Sequence, residues 1–126
     1  MLEKKKVIAH LISFLEEELA AATTDEQRAE LQSLITMYRF LPARPYEGHE
    51  PIIPTSLVRL KIGEATTYSF IVPRGGGFIT TVEGTPLQVL TPNSPLGEAL
   101  LGRKSGDKVS VEVRGQNREY FIVASA

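Results

Sequence analysis

The chain reads as an α+β protein: an antiparallel helical hairpin over residues 1–41, a proline-rich linker over 42–54, and a β-rich domain over 55–126 holding one short helix. Three observations predict this. Apolar residues recur at steps of three and four up to Leu41. They recur at every second residue in several runs after Ser56. Prolines cluster between the two regions. The first spacing belongs to one helix lying along another, and the second to half-buried strands.

The first helix is expected from Glu3 to Ala22, a stretch without Pro or Gly. Ile8, Ile12, Leu15, Leu19 and Ala22 form its seam. Thr23-Thr-Asp-Glu-Gln27 then offers a capping box, Thr24 with Gln27 or Thr23 with Glu26. Asp25 and Glu26 fall in the next first turn, where the helix dipole favours acids. Leu31, Leu34, Tyr38 and Leu41 carry the second helix until Pro42 stops it. So short a turn makes the two helices antiparallel neighbours. Both carry surplus apolar residues: Val7, Leu11 and Phe14 on the first, Ile35, Met37 and Phe40 on the second. The β domain, a second copy of the chain or a partner would cover them. Intramolecular packing or a homodimer is expected ahead of a partner groove.

Pro42, Pro45, Pro51 and Pro54 stiffen the linker. Beyond it, Leu57–Ile62 and Thr66–Val72 read as strands around a turn at Gly63-Glu-Ala65. Phe78–Val82 and Leu87–Leu90 are weaker strands. Val109–Val113 and Glu119–Val123 alternate cleanly and pair as a hairpin. Between them, Ser94 suits an N-cap, Pro95 the first helical position and Gly102 the C-terminal cap of a short helix. The sheet is expected to be antiparallel.

Composition excludes several function classes. Apolar residues make up 42% of the 126, enough for a real core. The net charge of -1 gives no general pull toward nucleic acid or anionic membrane. It divides mildly: five Lys/Arg against seven Asp/Glu in residues 1–41, eight against six in residues 55–126. With no cysteine, thiolate metal sites and cysteine nucleophiles are excluded. No apolar run approaches the ~20 residues of a membrane span. Glu16, Glu17 and Glu18 arrive too early for a signal peptide, so a cytoplasmic location is expected.

Residues 90–107, Leu-Thr-Pro-Asn-Ser-Pro-Leu-Gly-Glu-Ala-Leu-Leu-Gly-Arg-Lys-Ser-Gly-Asp, followed by Val109–Val113 and a terminal Arg-Glu-Tyr-Phe-Ile strand, resemble the C-terminal domain of the bacterial Gre transcript-cleavage factors. Good agreement covers about 88–123 and weaker agreement reaches back to 55. The order of hairpin then β domain agrees too. The resemblance implies an FKBP-like fold without isomerase activity, and docking on RNA polymerase near the mouth of its secondary channel. It assigns the polymerase grip to the loop that here is Thr91, Pro92, Asn93, Ser94 and Pro95. It also implies a hairpin whose tip acids, an Asp and a Glu three positions apart, help hold a magnesium at the polymerase active site. Here the tip acids are Asp25 and Glu26, adjacent, on helices shorter than in Gre factors. The shortened hairpin is closer to the regulator-of-nucleoside-diphosphate-kinase proteins, which are similar in fold and polymerase binding but do not stimulate cleavage.

The expected function is therefore a polymerase-binding transcription factor that modulates elongation or competes with Gre factors. It is not an enzyme in itself: no catalytic residue and no metal of the isolated protein are expected, and no sequence-specific nucleic-acid binding. A true cleavage factor, with magnesium shared with the polymerase, is the first alternative. An FKBP-like peptide-binding chaperone or a self-associating scaffold is the second. Capping alone accounts for Asp25, Glu26, Ser94 and Pro95, but not for Pro92 and Asn93. Arg74-Gly-Gly-Gly77 lacks the Lys-Ser/Thr of a phosphate loop and reads as a flexible hairpin turn. His10 and His49 read as surface residues, and Lys4, Lys5 and Lys6 as a solvated helix end.

Overall fold

The computed structural model of the chain describes residues 1–47 and 49–126; Gly48, within the segment read as linker, lies outside the described residues. The chain divides into two compact units, Met1–Arg44 and Pro45–Ala126.

The first unit is a pair of helices, α1 (Lys4–Ala21) and α2 (Asp25–Arg39). Thr24 caps α2, its side chain accepting a hydrogen bond from the Gln27 N–H at 3.1 Å. Gln27 Oε1 accepts in turn from the Thr23 N–H at 3.2 Å. This is the capping-box logic with the return bond set one residue early, on the residue before the cap. The buried face of α1 runs through Val7, Ile8, Leu11 and Leu15. It is wider than a two-helix seam and is rotated toward the residues that read as surplus. Val7 and Leu11 are fully buried, whereas Ile12 and Leu19 are only half-buried. On α2, Leu34, Ile35 and Tyr38 are buried, and Phe40, just past its end, stays 83% exposed.

Lys4 departs from its expected place on a solvated helix end. It is only 3% exposed, because the same face that buries Val7 and Ile8 includes it. Its ammonium donates to the Arg44 carbonyl at 3.3 Å. Burial, and then the Arg44 guanidinium, hold its pKa down at about 8.

The second unit is a six-stranded sheet with one short helix. Its elements are β1 (Leu57–Ile62), β2 (Ala65–Ile71), β3 (Phe78–Val82), β4 (Thr85–Leu90), α3 (Pro95–Leu100), β5 (Lys108–Val113) and β6 (Gln116–Ser125). The strand order is β3-β4-β2-β1-β6-β5. The hairpins β3–β4 and β5–β6 each lay their second strand inward, so β3 and β5 form the edges. The β3–β4 and β5–β6 turns are two residues long, Glu83-Gly84 and Arg114-Gly115, with positive φ at both positions. That geometry matches the twist of the strands they join.

The sheet is antiparallel except at one place. β4 runs parallel to β2, with Tyr68 opposite Leu87 and Phe70 opposite Val89. The cause is the connection after β2, which carries β3 one strand's width away and leaves the gap that β4 fills. Pro86 is tolerated in β4 because pairing with β2 begins one residue later, at Leu87. The sheet does not close into a barrel.

The face beneath α3 carries one core cluster, Val58, Leu60, Ile71, Leu90, Val109, Val111 and Ile122, covered by Leu96 and Leu100. On the opposite face Leu57, Tyr68, Phe70, Leu87 and Val89 are buried as well. Ile52 belongs to the cluster beneath α3. Its N–H donates to the Arg103 carbonyl at 2.8 Å and its carbonyl accepts from the Gly102 N–H at 2.8 Å. Ile52, within the segment read as linker, is thus fixed in the second unit by this pairing with the end of α3. Gly102, with φ +82, ends α3 where the sequence placed its cap. No helix among the described residues is long and apolar enough to cross a membrane.

The buried lysine makes stability depend on pH. In the unfolded chain Lys4 titrates near 10.5, against about 8 in the fold. Below pH 8 both states hold the proton and the fold bears the cost of the buried cation. Between about 8 and 10 the unfolded chain holds more protons, so stability rises with pH. Above 10 Tyr38 opposes this, since burial pushes its hydroxyl up to about 12 and the unfolded chain loses that proton first. Urea midpoints followed by circular dichroism should rise from pH 8 to pH 10. Lys4→Met should be more stable at neutral pH and should flatten that rise.

Candidate functional site

Where β4 ends, the Val72 N–H donates to the Leu90 carbonyl at 2.8 Å, holding the strand end in the sheet. The next residues fold into a closed corner around the Thr91 carbonyl. That oxygen accepts from the Ser94 N–H at 3.1 Å and from the Ser94 hydroxyl at 2.8 Å. The Ser94 oxygen also accepts from the Gly97 N–H at 3.1 Å, capping α3. The Thr91 hydroxyl donates to Asn93 Oδ1 at 2.7 Å. This leaves the amide N–H groups of exposed Asn93 as outward donors. Pro95 stands exposed beside it at the first helical position, where its missing N–H leaves nothing unsatisfied.

Two glycines hold this corner by having no side chain. A Cβ on Gly97 would stand 2.2 Å from the Thr91 oxygen and 2.7 Å from Ser94 Oγ, inside both atoms. A Cβ on Gly76 would come within 2.9 Å of the Leu90 carbonyl carbon and 3.1 Å of the Thr91 nitrogen. The Gly77 N–H donates to the Val89 carbonyl at 2.7 Å. The Gly75–Gly77 segment is thus a packed brace against the root of the corner. It is not a hairpin turn, because β4 stands between β2 and β3.

All five residues assigned to partner contact, Thr91, Pro92, Asn93, Ser94 and Pro95, are brought together here. Thr91, Pro92 and Ser94 are half-buried, with Thr91 and Ser94 held in the corner's hydrogen bonds, while Asn93 and Pro95 are exposed. No residue from Thr91 to Gly97 carries a charge. The corner can therefore recognise a partner by shape and hydrogen bonding, with its backbone ordered in advance.

The tip acids do not converge. Asp25 and Glu26 are successive helical residues and point about 100° apart around the axis. Asp25 Oδ1 lies 3.5 Å from the Arg28 guanidinium, an exposed pair within the first turn. Glu26 lines a shallow groove together with Glu18, Glu30, Ala21, Ala22, Gln27 and Leu31. Among the described residues no group of three or more His, Asp or Glu is placed to hold a metal ion. His49 is exposed, with its Nδ1 3.5 Å from Glu47 Oε2.

The second unit is thus a mixed sheet with a short helix, entered through a Ser-Pro corner, that leads to a closing hairpin. The family model described as the C-terminal part of transcription elongation factor GreA/GreB matches residues 63–125, half of the chain. The chain belongs to this family of transcription elongation factors. Among solved structures it is similar to GreA factor homolog 1 of Thermus thermophilus, at 17% identity and TM-score 0.47, covering 98% of this chain and 87% of that one. The same factor from Thermus aquaticus is 18% identical with TM-score 0.47, covering 98% and 94%. A GreA/GreB elongation factor from Nitrosomonas europaea is 18% identical with TM-score 0.47, covering 91% of each chain. No curated protein matches the chain.

The role of Gly76 was missed in the sequence. Its only signal was the run Gly75-Gly-Gly77, which says that space or φ is needed but not which strand end comes near.

The corner's rigidity is open to measurement. Ser94→Ala removes the cap and one bond to Thr91, and should cost about 1–2 kcal/mol in urea unfolding. Gly97→Ala should cost more, since the Thr91 carbonyl or the start of α3 must move. A Gly97→Ala protein as stable as wild type would show that the corner yields.

Proposed function

We propose that the chain docks on bacterial RNA polymerase through its second unit, gripping with the Thr91–Pro95 corner. Docking near the secondary channel would let it modulate elongation or compete with Gre factors. The observation that carries this is the corner itself. It is held by four hydrogen bonds and two obligatory glycines, and it presents the Asn93 amide and the Pro95 ring outward. Capping α3 requires only Ser94. The Thr91–Gly97 contacts also aim α3, but the outward Asn93 amide and Pro95 ring serve neither the cap nor the core, and they lie within the segment that the elongation-factor family model matches.

The hairpin tip favours obstruction of a channel over chemistry in it. Divergent carboxylates, one engaged by Arg28, are poorly disposed to share a cation. Factor action is thus expected to rest on occupancy, with no requirement for the tip acids.

Copurification of the full chain with core polymerase is the direct test. Wild type should be retained at low salt, and Asn93→Ala combined with Pro95→Ala should weaken retention by at least about tenfold, as for a central contact. Absence of wild-type binding at low salt overturns the proposal. Asp25→Ala with Glu26→Ala should bind as wild type does, and stalled complexes should show no magnesium-dependent transcript shortening that this variant loses.

A further inference from the structure

The face of the sheet opposite the α3-covered core carries a row of alternating charge and aromatic ring. Across three adjacent strands, Phe121 of β6 stands opposite Lys61 of β1 on one side and opposite Lys108 of β5 on the other. Directly opposed residues place their Cβ atoms about 5 Å apart, so the two lysines flank the ring and stand about 10 Å from each other.

This row exists because β6 has a bulge. Arg59 pairs with Ala124 but Leu60 pairs with Ile122, leaving Val123 as the extra residue. Without it, strand parity would turn Phe121 to the α3 side and Ile122 away from the core. With it, Ile122 is fully buried while Phe121 is 39% exposed. Lys61 and Lys108 are exposed as well, and among the described residues neither is held in an ion pair. An open hollow of about 470 Å³ is lined by these three residues together with Gly63, Glu119 and Tyr120.

Phe121 leaves 39% of its surface open between two cations that the fold does not pair. Burying more of Phe121 would be favourable, and the one carboxylate lining the hollow, Glu119, is not in ion-pair contact with either lysine. The chemistry fits a ligand that offers a flat π-surface and negative charge on either side of it. We infer that this row is a single-stranded nucleic-acid contact: a base stacks on Phe121, and the flanking phosphates meet Lys61 and Lys108.

Stacking on an aromatic between cations is a sequence-tolerant way to hold a single strand. The strand runs across β1, β6 and β5. Glu119 lies along β6 on the same face, off the line of the lysines, so the phosphates need not pass it. With a net charge of only -1 on the whole chain, the attraction is local and strongly weakened by salt. The contact lies on a part of the sheet distinct from the Thr91–Pro95 corner and stands independently of polymerase docking.

The test is fluorescence anisotropy of the full chain with an end-labelled single-stranded RNA of ~12 nucleotides at low salt. Saturable binding is expected, weakened about tenfold by Phe121→Ala and restored by Phe121→Trp. Lys61→Ala with Lys108→Ala should reduce the slope of log affinity against log salt by about 1.4. These two lysines are exposed, so that variant reads the site even if Phe121→Ala disturbs the fold. The duplex form of the same RNA should bind more weakly, because its bases are already stacked. Three results overturn the inference: no saturable binding, binding indifferent to both variants, or a glutamate oligomer competing as well as RNA. The last would mark the row as a seat for an acidic protein surface.

Discussion

The carbonyl oxygen of Thr91 is the point on which the second unit depends. It stops β4, turns the chain and starts α3, and it does so by accepting both donors of Ser94 while Gly97 lies directly beneath. The brace from Gly76 fixes the same stretch of backbone from the other side. A side chain at either glycine would push the corner outward. α3 would then be mis-aimed, and Leu96 and Leu100 would leave the face that holds Leu60, Ile71, Val111 and Ile122. Core packing and the shape of the exposed corner are thus set by one close approach of backbone to backbone. A corner that cannot move without disturbing the core is already ordered when a partner meets it.

The sheet is arranged around the same crossing. α3 carries the chain from β4 across to the far edge, and the closing hairpin must then insert β6 between β5 and β1. A terminal strand laid in last has to satisfy two neighbours at once, and the bulge at Val123 is where their registers are reconciled. That adjustment decides which residues of β6 face the core. It buries Ile122 and turns Phe121 outward to meet Lys61 and Lys108. One irregularity therefore serves the core on one face and builds a chemically distinct surface on the other.

The two surfaces work by different physics. The Thr91–Pro95 corner is uncharged, so its recognition rests on fit and on donors already in place. Such contacts set how long a complex lasts more than how fast it forms. The Lys61–Phe121–Lys108 row is electrostatic and aromatic, sensitive to salt and tolerant of sequence. The two proposals, a seat on a protein and a contact to a single strand, are thus separable by their response to salt.

Much of this was legible in the sequence because it rests on local rules. The hairpin, its Thr24–Gln27 cap, the alternating strands and the Ser94–Gly102 helix each follow from spacing and from residues whose backbone preferences act over a few positions. The resemblance carried by residues 90–107 likewise led to the family and to the corner. Tertiary structure decided the rest, because the rest depends on which distant segments meet. Lys4 reads as a solvated lysine until the buried face of α1 is seen to include it. Ile52 reads as linker until it pairs with Gly102 and Arg103. Gly75–Gly77 reads as slack until Leu90 arrives against it. Only the β1–β6 register could reveal the bulge that places Phe121 beside two lysines, since parity in a strand is fixed by its neighbours and not by its own residues.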